Sequence, residues 1–228
     1  MIQNIFRKLS TRFYKPILAN YLKKTRIFQH HPFTLTIFPG VFHPQFFYST
    51  KFLLQYLNQI NFKQKKVIEV GAGNGLIAFN IAISANKVIA LELSKIAIKG
   101  LLYNQQNNQN VLPPNVLQII ESNLFQALNP QVFDYIIVNP PYYPNKVNNE
   151  IELAWNCGEE FEYFTDFFTQ ARNFMNQNSM IIMVLSSQSN LNKISQIALN
   201  IGFNMHLKSI KKFLIEDNFI FECKLINA

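Results

Sequence analysis

Not one Asp or Glu occurs in the first 68 residues, although that stretch carries 11 Lys or Arg; residues 69–228 hold all 13 acids against 10 basic residues. The net charge of +8 therefore resides in the first third of the chain. Two readings fit such a segment: a solvated basic face, or a field that steers a polyanion towards the protein. Cysteine is scarce. Cys157 and Cys223 stand far apart without a CxxC pattern, which excludes a disulfide framework or a zinc cluster and suits a reducing cytoplasm. No run approaches the roughly 20 apolar residues of a membrane-spanning helix. His30, His31, His43 and His206 lack the spacing and acidic company of a metal site, so no metal is expected. No internal repeat or low-complexity linker interrupts the chain. The opening residues lack the apolar core of a secretory signal; being basic and acid-free, they leave an organellar transit peptide open.

What is present is a hydrophobic fraction of 49% with 22 Phe, the composition of a packed globular protein. The length suits one α/β domain, expected over residues 61–228, preceded by a basic extension over residues 1–60 that packs on it. Residues 1–30 read as one or two basic helices interrupted near Pro16. Phe33 to Phe38 reads as a short strand stopped by Pro39-Gly40. Ser49 and Thr50 look like caps for a helix from Lys51 to Ile60.

From Lys66 onward, short apolar runs alternate with helical patterns. Strands are expected at 66–70, 87–91, 116–121, 133–138, 180–185, 205–211 and 219–225, with helices at 75–84, 94–107, 160–176 and 190–200. A tight Glu216-Asp217-Asn218 connection joins the last two strands. The pattern predicts a doubly wound, seven-stranded, mostly parallel sheet ending in a C-terminal antiparallel hairpin. Ligands of such sheets bind outside the carboxyl ends of the strands. The chemically informative residues all fall there.

The first sheet strand runs from Val67-Ile68-Glu69-Val70 into Gly71-Ala72-Gly73-Asn74-Gly75. Alternating glycines free the backbone to turn tightly and to approach a ligand without an intervening Cβ. The dinucleotide pattern GxGxxG would require a third glycine at position 76, which is Leu. Glu92 closes the second strand, 17 residues past Gly75, where an acid holds ribose hydroxyls in nucleotide-binding α/β folds. After the fourth strand comes Asn139-Pro140-Pro141-Tyr142. Two prolines fix φ and remove backbone donors, leaving the Asn139 side-chain oxygen and the Pro140 carbonyl as a rigid acceptor pair. Such a pair suits a planar NH2 group, accepting both N–H bonds and stabilising charge that develops on nitrogen. The Tyr142 ring would stack on the planar face.

An acid two residues before GxGxG, a strand-two acid and NPPY together resemble class I S-adenosylmethionine-dependent methyltransferases. The NPPY subgroup includes HemK-type protein-glutamine N5-methyltransferases and enzymes that methylate exocyclic amines of nucleic-acid bases. The resemblance spans roughly residues 33–226. It implies S-adenosyl-L-methionine as cofactor, with Glu69 positioning its amino-acid portion, Gly71, Ala72, Gly73, Asn74 and Gly75 forming the loop, and Glu92 with Leu93 at the ribose. Asn123 and Leu124 would bracket the adenine; Asn123 stands where the family often has an acid. Pro39 to Pro44 and Ser49-Thr50 resemble the segment that closes over the cofactor in HemK-like relatives, which would bring Phe42 and Thr50 near it. Asn139, Pro140, Pro141 and Tyr142 would be the catalytic residues.

The implied activity is N-methylation of a protein glutamine amide or a base amine. The acceptor would be a macromolecule, either a release-factor-like protein or RNA or DNA contacted by the basic N-terminal third. Glu150, Glu152, Glu159, Glu160, Glu162 and Asp166 form the strongly negative stretch. If it lines the substrate mouth, it repels a phosphate backbone and favours protein. Alternatively the stretch is partly an exposed helix start, where carboxylates suit the dipole. Cys157 reads as a small buried residue rather than a reactive thiol. Two other functions remain open: a non-catalytic nucleic-acid-binding protein on a methyltransferase scaffold, and a nicotinamide-dependent oxidoreductase.

Overall fold

A computed structural model describes residues 23–44, 48–147, 152–213 and 216–226. The helices expected before residue 23 lie outside them. Within residues 26–30 the expectation of helix fails: Arg26–His30 is a strand, β1, paired antiparallel with β2 (Phe33–Ile37). Phe28 and the alternating Phe33, Leu35 and Ile37 turn one face of this ribbon inward, and a strand with one buried face overrides the helical reading of its basic residues.

The next element, α1, spans Tyr48–Leu57. It begins three residues earlier than expected, so Ser49 and Thr50 are not caps but buried members of its first turn. The sheet then follows the expected order: β3 (Lys66–Val70), α2 (Leu76–Ala82), β4 (Lys87–Glu92), α3 (Lys95–Asn107), β5 (Leu117–Glu121), β6 (Tyr135–Val138), α4 (Glu162–Ala171), β7 (Met180–Ser186), α5 (Leu191–Ile201), β8 (Phe203–Lys212) and β9 (Asp217–Leu225). Asp217 and Asn218, expected in the final turn, instead pair with Lys212 and Lys211 as the start of β9, because β8 runs one residue further. The long helix expected to reach Asn176 ends at Ala171 and tightens into a 3-10 turn, Arg172–Phe174.

The strand order is β5-β4-β3-β6-β7-β9-β8, with β9 antiparallel to both neighbours and the other pairs parallel. Apolar side chains cover both faces. Val67, Ile137, Ile182, Val184 and Ile220 face the layer of α1, α2 and α3, while Ile68, Ile136, Ile181 and Met183 face the Phe164, Phe167 and Phe168 ridge of α4. The order in which strands are added reverses between the parallel neighbours β3 and β6, opening a crevice at the carboxyl ends of those two strands. No described helix is long and apolar enough to cross a membrane.

The β1-β2 ribbon is fastened to α3 by two asparagines. Asn104 Oδ1 accepts from Thr36 N (2.7 Å) while its Nδ2 donates to Thr36 O (3.1 Å). Asn108 repeats the pair at Thr34, with 3.0 and 2.9 Å. Four residues of helix rise about 6 Å and two residues of strand about 6.6 Å, so the two amides stand in register with alternate strand residues and complete its free edge. Removing either amide strands a backbone N–H and C=O, which costs about 1–3 kcal/mol. Asn104→Ala and Asn108→Ala should each lower the unfolding free energy by that amount in urea titrations. A loss below about 0.5 kcal/mol would show that the ribbon is held by its apolar face alone.

Candidate cofactor and active site

The crevice is a cavity of about 1020 Å³. Its floor is the turn after β3. Gly71, Gly73 and Gly75 all have positive φ, but their surroundings differ. A Cβ at Gly71 or Gly73 would meet nothing within 4 Å, whereas one at Gly75 would meet Leu101 Cδ2 at 2.7 Å. The first two glycines thus face open space in which a ligand can approach the backbone. The third is set by packing against α3, and it sits behind the cavity wall rather than on it.

Glu69, Ala72, Asn74, Glu92, Leu93, Asn123 and Leu124 line the cavity with the first two glycines, as do Phe42, Thr50 and Asn139 to Tyr142. The structure therefore gathers in one space every expected cofactor-binding and catalytic residue except Gly75; of the acidic stretch, Glu159, Glu162 and Asp166 line it, Glu152 and Glu160 do not, and Glu150 lies outside the described residues.

Asn74 serves the turn itself. Its Oδ1 accepts from Leu76 N (2.9 Å), and its Nδ2 donates to Phe42 O (2.9 Å), pulling the segment before α1 over the turn. The carboxylate of Glu92 accepts from Gly73 N (2.7 Å), Leu93 N (2.8 Å) and Ser94 N (2.8 Å). A carboxylate offers about four acceptor positions, so most of this one's capacity shapes the turn, and Glu92 is a weaker bidentate diol ligand here than its position alone implies. Asn123 is exposed at the rim, and Leu124 beside it is buried with φ of 50°.

Glu69 is 3% exposed. Its Oε2 accepts from Ala78 N (2.7 Å) at the start of α2. Burial pushes its pKa well above the usual carboxylate range, the charge of Glu92 raises it further, and the Ala78 N–H opposes both.

Across the crevice, β3 and β6 pair Val70 with Val138. Asn139 and Gly71 each follow this last paired position by one residue, at the mouth of the crevice. The Asn139 Nδ2 donates to Ser49 Oγ (3.4 Å) and Thr50 Oγ1 (3.5 Å). Both are long bonds, yet they turn the amide so that Oδ1 has no partner among the described residues. Pro140 is buried beside it. The loop continues against residues 155–157, where Trp155 O accepts from Tyr142 N (3.2 Å) and Tyr143 N (3.0 Å), and Tyr143 O accepts from Cys157 N (2.9 Å). Cys157 is buried, and burial pushes its thiol up to about 11, which leaves it inert.

Trp155 and Phe42 meet over the cavity with ring centroids 5.2 Å apart. Sequence reasoning passed over Trp155 and took Ser49 for a cap. The signal for Ser49 was the buried phase of α1, visible only once the helix is started at Tyr48.

A glycine turn facing open space, flanked by two carboxylates and an Asn-Pro-Pro-Tyr loop at the switch point of a doubly wound sheet, defines a nucleotide-cofactor α/β domain with a polar acceptor site. The match is to the methyltransferase small domain family over residues 32–216, and the chain belongs to that family. It is 32% identical over 176 residues to a bifunctional methyltransferase of Rickettsia typhi, covering 71% of this chain but 32% of that one. A Methanocaldococcus jannaschii protein whose name assigns it, provisionally, as a protein N5-glutamine methyltransferase is 26% identical over 76% of this chain and 88% of its own length. Among solved structures, the Thermus thermophilus 16S rRNA N2 G1207 methyltransferase, in complex with AdoMet and guanosine, superposes with a TM-score of 0.63 at 18% identity over 88% of this chain and 50% of that one; at that identity it bears on the fold alone.

The raised pKa of Glu69 has a consequence for stability. A carboxyl whose folded pKa lies above its unfolded value stabilises the fold below the unfolded value, and this contribution is lost as pH rises through the folded pKa. Glu69→Gln keeps an acceptor for Ala78 N and removes the buried charge. Its melting temperature relative to the parent should therefore climb between pH 5 and pH 8. A flat difference across that window would show that Glu69 is not held against its charge.

Proposed function

We propose that the protein is an S-adenosylmethionine-dependent N-methyltransferase whose acceptor is a planar NH2 group. The observation that carries this reading is Asn139 Oδ1, without a hydrogen-bond partner among the described residues, in one cavity with the open Gly71 backbone. The site fits the cofactor. Gly71 and Gly73 leave room where a Cβ would intrude. Glu69 presents a buried carboxylate with a single backbone donor, and the sulfonium nucleotide's ammonium group would complete its hydrogen bonding. Leu93, Asn123 and Leu124 form the wall for its base, with the remaining acceptor position of Glu92 at the ribose.

When bound, the cofactor supplies an electrophilic methyl group. Asn139 Oδ1 and the Pro140 carbonyl accept the two N–H bonds of the acceptor and direct its lone pair into the crevice. As positive charge grows on that nitrogen, the same two oxygens stabilise it without reorganising. The Phe42 and Trp155 rings exclude water above them. Orientation, not a strong base, accounts for the rate.

The acceptor group belongs to a macromolecule, and the rim favours a protein amide. Glu159, Glu162 and Asp166 line the cavity together with Lys23 and Lys146, and the excess of acids there disfavours a phosphate backbone. A cytoplasmic location fits such a substrate; the basic segment over residues 1–60 is read as an extension of the catalytic domain.

Asn139→Ala should leave S-adenosylmethionine affinity unchanged in calorimetric titration while lowering turnover by about 10²–10³-fold, as for loss of one transition-state donor or acceptor. Glu69→Gln should do the opposite, weakening cofactor binding by about 10–100-fold through a lost charged hydrogen bond. Unchanged turnover in Asn139→Ala would sink the catalytic assignment. Incubation of the protein with methyl-labelled S-adenosylmethionine and cell extract should place label in the protein fraction; label in RNA would move the acceptor to a base amine.

A further inference from the structure

Tyr163 lines the crevice without belonging to any of its motifs. It stands in the first turn of α4 and keeps partial exposure. Its ring stacks on Phe167 with centroids 6.1 Å apart and meets Phe164 edge-on at 5.5 Å. Phe167 in turn lies 5.9 Å from Phe125, which brings the start of α4 against the loop that follows β5. That loop is tied to the end of β4, where Ser122 N donates to Glu92 O at 2.8 Å. On the other side, Tyr163 N donates to Cys157 O at 3.0 Å and fixes the root of the ring.

Packing accounts for this ring but not for its hydroxyl. Phe serves the same ridge at 164, 167 and 168, and aromatic pairs spaced i, i+4 on a helix need no polar atom. Among the described residues the Tyr163 hydroxyl has no hydrogen-bond partner, and an enclosed O–H without one costs free energy. Burial holds the hydroxyl well above the ordinary tyrosine value, and the Glu92 carboxylate adds to the rise. It therefore stays protonated, a donor that lacks an acceptor.

Glu92 indicates what that acceptor is. Three backbone N–H groups occupy its carboxylate, and with about four acceptor positions it has room for one further donor. A ribose carries two neighbouring hydroxyls, so one of them is left for another residue. We propose that Tyr163 is a cofactor-binding residue whose hydroxyl donates to the ribose hydroxyl that Glu92 does not hold. The inference rests on the cofactor reading and adds to it a group that distinguishes a ribose from a deoxyribose. On this assignment Tyr163 acts in binding and not in methyl transfer.

Melting curves separate a role in binding from a role in folding. A hydroxyl with no partner in the free protein can be removed without loss, so unliganded Tyr163→Phe should melt no lower than the parent. The rise in melting temperature on adding S-adenosylhomocysteine should be smaller in the variant. A lower melting temperature in the unliganded variant would assign the hydroxyl to the fold and sink the inference.

Calorimetric titration of the full-length protein with S-adenosylhomocysteine and its 2′-deoxy and 3′-deoxy analogues identifies the acceptor. Tyr163→Phe should weaken S-adenosylhomocysteine about five- to tenfold, the worth of one hydrogen bond. At least one of the two deoxy analogues, the one lacking the hydroxyl that Tyr163 serves, should bind the variant as tightly as the parent. Unchanged affinity for S-adenosylhomocysteine, or an equal loss for all three ligands, would overturn the proposal. A parent that binds none of the three would remove the cofactor reading as well, whereas equal binding by parent and variant removes this inference alone.

Discussion

The site depends on one polar constraint: the open glycine turn, held by backbone bonds at Gly71, Ala72 and Gly75, is braced by two side chains from opposite sides. Glu92 gathers the Gly73, Leu93 and Ser94 N–H groups on one carboxylate. Asn74 joins the turn to Leu76 ahead of it and to Phe42 above it. Charge-assisted bonds to backbone N–H groups are among the stronger ones available to a protein. They fix the loop while leaving the space beside Gly71 and Gly73 clear, where a bulky residue holding the turn by packing would fill it. The same bonds link distant parts of the chain. Asn104 Nδ2 reaches Asn74 O at 3.4 Å while binding Thr36, so the β1-β2 ribbon, helix α3, the glycine turn and the roof residue Phe42 form one connected polar frame around an apolar core.

That frame explains which parts were legible in the sequence. The parallel strands were readable because both their faces are buried, leaving short continuous apolar runs such as Val67-Ile68 and Ile136-Ile137-Val138 that stop at glycine or proline turns. The chemical residues were readable because glycine, proline and a strand-end acid are constrained by backbone geometry, which is local. Residues whose partners lie far along the chain were not. Asn104 and Asn108 sit in the stretch Tyr103-Asn104-Gln105-Gln106-Asn107-Asn108, where only their common helix face distinguishes the two structural amides from their solvated neighbours. Ser186 and Asn218 come to face each other only when β9 folds back between β7 and β8.

Element ends failed for related reasons. At β1, period-two burial is carried by Phe28 alone among basic and polar residues, too little for a pattern to outweigh helical composition. At β8, the register shift between Leu207 and Ser209 absorbs an extra residue. The strand therefore reaches Lys212, and Asp217 and Asn218 become ladder residues rather than a turn.

On the proposed reading the crevice has a cofactor half and an acceptor half, and the two are held differently. The cofactor half is fixed by bonds made directly to the backbone of the glycine turn, one set of them charge-assisted, so it is formed before any ligand arrives. The acceptor half is fixed from a distance. Asn139 is oriented by hydroxyls on α1, ninety residues away at Ser49, and the loop beyond it by the carbonyl of Trp155. Those contacts are neutral, and the pair at Asn139 is long, so they set direction without the desolvation cost of a charge placed next to the reacting nitrogen. A charged partner for Asn139 would bind the acceptor's ground state more tightly or compete for its N–H bonds. In the proposed reaction a neutral one would leave Oδ1 free to interact most strongly when charge appears on nitrogen, and interactions stronger in the transition state than in the ground state are those that raise the rate.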